Sequence, residues 1–391
     1  MLRIHKRVSR SFSVSLIGLL GALLAFGLPS MVQAATTAAS NISCSTSSST
    51  GADCLAQSTG GGSPSPIGLT PDQIRGAYNW PTSPTAGAGH TIAIVDARDN
   101  PVIEADLAVF DNQYGLPACT TADGCFRKVD SNGGNNYPSY NGGWAFEIAI
   151  DVEWAHTIAP GARILLVEAK TSNTPDLMAA EDYARQHSQY VSNSWVTHEF
   201  KGEANDDNHF VQPGVSFFAG SGDSFIQFAY PTAYPSASPN VVSVGGTQLN
   251  FNPDGTLLSE TGWSGGGGGC SSYEAANQAQ ATFAYYPQVG CNGSRATPDV
   301  AADSSSASPV SVYDSNPCGN DCGPWFAAFG TSVATPLWAA RAADAGIVVN
   351  AATIYSSMIT YRDITGGGNG APCLAHYNLC AGRGSWIGMQ P

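Results

Sequence analysis

The 391-residue chain has 16 Lys and Arg against 30 Asp and Glu, a formal net charge of −14, with 10 cysteines and 44 glycines. That acidic balance leaves no strongly basic surface to hold nucleic acid, and no apolar stretch beyond the N-terminal one is long enough to cross a bilayer. The length suffices for one large domain.

Residues 1–34 read as an export signal. Arg3, Lys6, Arg7 and Arg10 precede an apolar run over 12–28, and Val32-Gln33-Ala34 supplies a small-x-small cleavage pattern. A membrane anchor is the rival reading, but the run is short and no stop-transfer pattern follows. Removing the segment takes away those four cations and no acid, moving the formal charge from −14 to −18. The expected location is therefore secreted, extracellular or periplasmic, with no membrane anchor after signal removal. Residues 35–64 are Ser, Thr, Gly and Ala with almost no large apolar groups, which predicts a mobile linker or short pro-segment. Residues 65–391 mix apolar runs with Gly/Pro turns and show neither a second boundary nor an internal repeat, the pattern of one domain.

An even cysteine count in an exported chain favours disulfides, and near neighbours suggest the pairs Cys44 and Cys54, Cys119 and Cys125, Cys270 and Cys291, Cys318 and Cys322, Cys373 and Cys380. Cys318 and Cys322 have the spacing of half a zinc site, but no second half appears.

Thr91-Ile-Ala-Ile-Val95 is a continuously apolar strand ending at Asp96, followed by helical spacing over 102–112. The alternation recurs with strands at 163–168, 191–194, 215–219 and 241–244, and a helix over 175–187. Apolar strands without period-two alternation, separated by helices, predict an α/β fold: a doubly wound, mostly parallel sheet with helices on both faces. Ligands then belong beyond the C-terminal strand ends, where Asp96, Ser194 and the Gly220-Ser221-Gly222-Asp223 turn fall.

Residues 143–156 have helical spacing and place Glu147 and Asp151 one turn apart on one face. The flanking Phe146, Ile148, Ile150 and Val152 leave little room for a wet acidic stripe, so the pair is expected to be buried, to have raised pKa values and to share a proton. Asp223 either caps its turn or, if protonated, donates a hydrogen bond. In Phe329-Gly330-Thr331-Ser332-Val333-Ala334-Thr335-Pro336, Ser332 starts an Ala-rich helix running to Gly346. It is either a helix cap or an exposed nucleophile beside unpaired backbone N–H groups.

In this order, E-x-x-x-D, S-G-D and G-T-S-x-x-x-P resemble the sedolisin family of serine-carboxyl peptidases. The resemblance runs from about Gly68 to Asp363 and takes in Ile92-Ala-Ile-Val-Asp96, Val191-Ser-Asn-Ser194, Pro235-Ser-Ala-Ser-Pro-Asn-Val-Val-Ser-Val-Gly-Gly246, Glu260-Thr-Gly-Trp-Ser264 and Thr297-Pro-Asp-Val-Ala301. It implies a subtilisin-like fold and cleavage of peptide bonds in proteins at acidic pH. Ser332 would be the nucleophile, Glu147 the general base, Asp151 its proton-sharing partner, and Asp223 the donor to the oxyanion. The implied partners are protein or peptide substrates, met by a monomer.

The resemblance also implies a calcium site, built here from Asp363, Ile364, Gly382 and Gly384 but weakened, because Ser385-Trp386-Ile387-Gly388 stands where a second Asp belongs. Many relatives carry a large folded propeptide, for which residues 35–64 are too few. Trp195-Val196 and Ser224-Phe225 depart from the usual local pattern, and Phe225 is placed to narrow the cleft.

Three other readings compete. Asp96, His156 and Ser332 stand in subtilisin order, but Thr157-Ile158 follows His156 in place of the expected motif, so His156 reads as a packed or capping residue. A glycoside hydrolase would use Glu147 and Asp151 but leave the two Gly turns unexplained. A non-catalytic descendant acting as a binding protein is opposed by the presence of all four site residues.

Overall fold

Seven parallel strands and one antiparallel strand form the central sheet of the computed structural model, which describes residues 51–223, 232–316 and 323–390. Across the sheet the parallel strands run Val242–Phe251, Ser216–Gly220, Tyr190–Asn193, Thr91–Ala97, Arg163–Ala169 and Phe126–Asp130. Val300–Asp303 pairs parallel with Val242–Phe251, and Leu257–Gly262 pairs antiparallel with the same strand. From Thr91–Ala97 the chain first builds outward on one side, through Phe126–Asp130 and Arg163–Ala169, and then returns to build on the other. The winding therefore reverses at this strand, whose C-terminal end carries Asp96 and opens the crevice where ligands bind in such sheets.

Alternate residues of the central strand enter different cores. Ile92 and Ile94 pack with Phe146, Ile148, Val333 and Leu337, whereas Ala93 and Val95 pack with Leu165, Val167, Leu177 and Met178. Both faces are thus buried, which is why the strands read as unbroken apolar runs. On the first face lie the helices Gly142–Ile158 and Thr331–Ala345, packed against each other. Asn141 starts the former by accepting the Trp144 N–H at 3.1 Å, and every residue from Trp144 to Ile158 is buried. A helix apolar on all sides belongs in an interior, so its carboxyls are carried inside with it.

Two sequence motifs have structural roles. Asp299 accepts from the backbone N–H of Ser243 at 2.7 Å and from Arg295 Nη1 at 2.6 Å, joining 297–301 to 235–246. Glu260 accepts from Thr247 Oγ1 at 2.5 Å, Ser385 Oγ at 2.7 Å and Arg362 Nη1 at 2.6 Å, fastening the C-terminal strand Ser385–Met389 to the sheet edge.

The expected disulfides Cys119–Cys125, Cys270–Cys291 and Cys373–Cys380 form, and Cys54 is also disulfide-bonded. The export signal, Cys44, Cys318, Cys322, Ser224 and Phe225 lie outside the described residues. Among the described residues no helix is long and apolar enough to cross a membrane.

One expectation needs correction. The stretch 51–64 is not a mobile linker: Ala52, Cys54, Leu55 and Ala56 are buried, Asp53–Cys54 pairs with Trp195–His198, and Gln57–Ser58 pairs with Trp325–Phe329. Poor composition is offset by backbone hydrogen bonds to two strand edges and by burial of its one large aliphatic side chain, Leu55.

Candidate active site

The two packed helices bring Glu147, Asp151 and Ser332 together, and the turn after Ser216–Gly220 adds Asp223. All four side chains are buried. Gly330, with φ +127°, precedes the Ser332 helix in a conformation that L side chains rarely adopt. A β-carbon placed on it would lie 2.2 Å from the Leu55 carbonyl oxygen, 2.7 Å from Asp223 Oδ2 and 3.1 Å from Ser332 Oγ. These three oxygens therefore surround one small volume, which only a residue without a side chain leaves open.

Glu147 Oε2 accepts the backbone N–H groups of Leu55 at 2.7 Å and Ala56 at 2.6 Å. Burial pushes its pKa well up and Asp96 pushes it further, while the two N–H groups and the neighbouring Ser332 hydroxyl pull it down. Ser332 Oγ completes no hydrogen bond of good geometry among the described residues, although it lies against the Glu147 carboxyl. A hydroxyl beside a carboxyl and otherwise unpartnered can surrender its proton there.

Asp151 Oδ1 accepts from Ser194 Oγ at 2.8 Å, and burial, then Asp96, then Glu147 raise its pKa well above the usual range. Asp96, with neither oxygen bonded among the described residues, is pushed up to about 8 by burial. The expected carboxyl pair is thus a cluster of three. Ser194 and Asp96 have sequence signals, since both sit at strand ends. Leu55 and Ala56 have a fainter one: Leu55 and Ile42 are the only large aliphatic residues in 35–64.

Asp223 Oδ1 accepts from Thr331 N at 2.9 Å and Thr331 Oγ1 at 2.7 Å, leaving Oδ2 without a partner among the described residues. Burial pushes its pKa up to about 7. Below that pH it carries a proton that Oδ2 can donate into the volume beside Gly330.

His156 is elsewhere engaged. Its Nε2 bonds the Pro117 carbonyl at 2.9 Å and stands 3.5 Å from Asp111 Oδ1, and burial lowers its pKa. Neither ring nitrogen bonds Asp96 or Ser332, so the ordinary triad does not assemble.

The residues expected to hold calcium do not fit that ion. Both Asp363 oxygens accept the His376 N–H at 2.9 Å, the Ile364 carbonyl accepts Asn378 Nδ2 at 3.1 Å, the Gly382 carbonyl accepts Asn378 N at 3.2 Å, and the Gly384 carbonyl accepts Ala301 N at 3.1 Å. Each oxygen already faces the positive end of an N–H bond, and where the second carboxylate belongs Ser385 donates to Glu260. Calcium takes six to eight oxygen ligands and is held chiefly by charge, and this loop supplies one carboxylate, Asp363. Here the Asn378 amide and the Cys373–Cys380 disulfide close the loop instead.

Comparison with known proteins agrees with this architecture. The chain is 28% identical over 367 residues to kumamolisin of Bacillus sp. (strain MN-32), covering 84% of this chain and 64% of that protein. It is 25% identical over 358 residues to sedolisin of Pseudomonas sp. (strain 101), covering 81% and 58%. The chain therefore spans about three-fifths of the length of these curated relatives. The solved structure of Pseudomonas sedolisin complexed with two molecules of pseudo-iodotyrostatin superposes with a TM-score of 0.69 at 23% identity, over 83% of this chain and 96% of that one. A lanthipeptide protease superposes at 0.51 with 14% identity, covering 84% and 97%. Residues 132–352, more than half the chain and including Glu147, Asp151, Asp223 and Ser332, match the subtilase family. With carboxyls where a histidine would stand beside the serine, the chain belongs to the subtilase family as one of its sedolisin-type members.

Proposed function

We propose that the chain is a secreted, acid-acting serine-carboxyl endopeptidase that hydrolyses peptide bonds in proteins, as a monomer, through an acyl-enzyme on Ser332. Ser332 Oγ attacks the carbonyl carbon while its proton passes to Glu147. Asp151, held by Ser194, shares protons with Glu147 and keeps that carboxyl oriented. Asp223 in its acid form donates from Oδ2 to the oxyanion. Glu147 then returns the proton to the leaving amine, and water repeats the sequence on the ester. This is serine-triad logic with a carboxylate in place of imidazole: Asp223 stays protonated, and Glu147, raised by burial, takes the serine proton when the carboxyl cluster it shares protons with leaves it ionised.

The reading's chief support is the convergence of Ser332 Oγ and Asp223 Oδ2 on the volume beside Gly330, with Glu147 against the serine. The names of the relatives and the export signal support it further.

Digestion of denatured casein across about pH 2 to 8 tests it, comparing the chain with Ser332→Ala. Activity confined to the acid side and abolished by the substitution is expected. A folded chain that cleaves nothing at any pH would favour the non-catalytic descendant.

A further inference from the structure

The disulfide Cys119–Cys125 has neighbours that a disulfide does not need. A ring nitrogen of His156 lies within 4.8 Å of both sulfurs, and among the described residues no other three His, Cys, Asp or Glu side chains bring ligand atoms so close together. Asp111 adds a carboxyl, with Oδ1 3.5 Å from His156 Nε2. The four residues come from separate places. Asp111 belongs to the helix Ile103–Tyr114 and His156 to the helix Gly142–Ile158, while the cysteines lie in the connection between the first helix and the strand Phe126–Asp130. The proposed peptidase chemistry uses none of them.

The surroundings favour a ligand set over chance packing. Asp111 is 2% exposed, yet neither of its oxygens completes a hydrogen bond of good geometry among the described residues, and a carboxyl taken out of water without compensation is costly. His156 Nδ1 is likewise unpartnered there. The spacing also suits a tetrahedral ion: zinc holds nitrogen and oxygen at about 2.0–2.2 Å, which sets neighbouring ligand atoms about 3.3–3.4 Å apart. The 3.5 Å between His156 Nε2 and Asp111 Oδ1 is close to that separation. Two thiolates with an imidazole and a carboxylate are a zinc donor set. By contrast, Cys270–Cys291 packs among Tyr286 and Tyr377, and Cys373–Cys380 beside Ile364.

We propose that Cys119, Cys125, His156 and Asp111 form a zinc site that exists only while the Cys119–Cys125 disulfide is open, so that this corner of the fold holds a disulfide in oxidising surroundings and a metal in reducing ones. The two states exclude each other, because sulfurs bonded to one another have no thiolate to offer. A dithiol reductant opens the bond. One of its thiolates attacks the sulfur of Cys125, which is half-buried where Cys119 is buried, and its second thiol resolves the mixed disulfide. Two electrons and two protons pass to the chain, and the reductant closes into its own disulfide. Zinc then takes both sulfurs as thiolates and releases the two protons. A disulfide oxidant takes the two electrons back and expels the ion. The disulfide closes only the loop from 119 to 125, whereas the ion would join that loop to both helices.

The full chain carrying Ser332→Ala, which removes self-digestion, is equilibrated at about pH 7.5 in buffers of rising dithiol-to-disulfide ratio, with and without free zinc fixed by a chelator. Opened cysteines are alkylated and located by mass spectrometry, and the fold is followed by circular dichroism. Zinc is expected to lower the ratio at which Cys119–Cys125 is half open by about tenfold or more, while the midpoints of Cys270–Cys291 and Cys373–Cys380 stay where they are. Cobalt in place of zinc should give the visible ligand-field bands of a tetrahedral ion together with the near-ultraviolet charge-transfer band of cobalt–thiolate bonds. His156→Ala should cut the zinc shift to about twofold or less. Should that variant fail to fold, His156→Gln, which can still donate to the Pro117 carbonyl, should show the same loss. A smaller shift in the parent chain or an undiminished one in the histidine variants would overturn the site. So would loss of the fold as Cys119–Cys125 opens, or a cobalt spectrum without thiolate bands. Neither readout involves peptide cleavage, so the outcome is separate from that of the casein test.

Discussion

Asp223 and Glu147 are both buried carboxyls with raised pKa values, yet the proposed chemistry asks opposite things of them. Glu147 works by accepting a proton, so losing its own as pH rises only improves it as a base. Asp223 works by donating, and with its pKa at about 7 the donor is present below that pH and lost above it. The alkaline limb of activity is therefore assigned to Asp223. In Asp223→Asn the amide oxygen can keep accepting from Thr331 while the amide nitrogen takes the place of Oδ2 and donates at every pH. The pH profile of kcat/KM should lose its limb near 7, whereas Asp223→Ala should fall roughly 10²–10³-fold throughout. A profile unchanged in Asp223→Asn would move the limb to another group. Glu147→Gln should cost about 10²–10⁴-fold, since the amide cannot accept the serine proton. His156→Ala, by contrast, removes a hydrogen bond to Pro117 and should leave kcat/KM of the folded enzyme within about threefold while lowering stability by about 1–3 kcal/mol. Inactivity of a correctly folded His156→Ala chain would restore the ordinary triad.

At the scale of elements, the calcium loop shows how far motif reading reaches. The family resemblance implied a cation site at Asp363-Ile364 and Gly382-Arg383-Gly384; what the resemblance could not convey is that the Asn378 side chain hydrogen-bonds the Ile364 carbonyl. Its amide donates to the Ile364 and Leu374 carbonyls and accepts from Cys380 N and Ala381 N. Replacing it by Ala would strand several of these buried groups at roughly 1 kcal/mol each, so Asn378→Ala should lower stability by about 2–4 kcal/mol, measured by denaturant unfolding. EDTA should leave Tm of the unmodified chain within about 1 °C, and a larger drop would return a cation to the loop. The strands and helices of the main sheet were readable because each carries its own apolar pattern, whereas Glu147, Asp151, Asp223 and Ser332 could be placed on those elements by pattern but singled out together only through the family resemblance. The course of residues 53–58 was not readable. Residues 53–58 have little propensity of their own and take their structure from edges more than a hundred residues distant in sequence. Asp96 was visible at a strand end, but its proximity to Glu147 and Asp151 is a product of helix packing, which one strand's sequence does not encode.

Across the whole molecule, these buried acids should invert the usual dependence of stability on pH. Asp96 is pushed up to about 8, Asp223 to about 7 and Asp314 to about 6, in each case chiefly by burial, and Glu147 and Asp151 are raised as well. Unfolded, such carboxyls titrate near pH 4. Below that pH both states are protonated and the native preference for the neutral form is fully expressed. Between pH 4 and the native values the unfolded chain has released protons that the fold still holds, so stability falls as pH rises, by about 1.4 kcal/mol per unit for each such group. Self-repulsion among the surface acids of a chain with a formal charge of −14 works in the same direction but is screened by salt. Thermal unfolding of Ser332→Ala, chosen so that self-digestion does not intrude, should give a Tm at about pH 4 at least 10 °C above that at about pH 8. Adding about 0.5 M NaCl should recover only part of the difference, because burial and not surface repulsion raises the internal carboxyls. A Tm that is flat or rising over that interval would mean that the acids ionise inside the fold. In that case neither the neutral Asp223 donor nor the proton-sharing cluster around Glu147 would hold. The same protons therefore link endurance in acid to activity in acid.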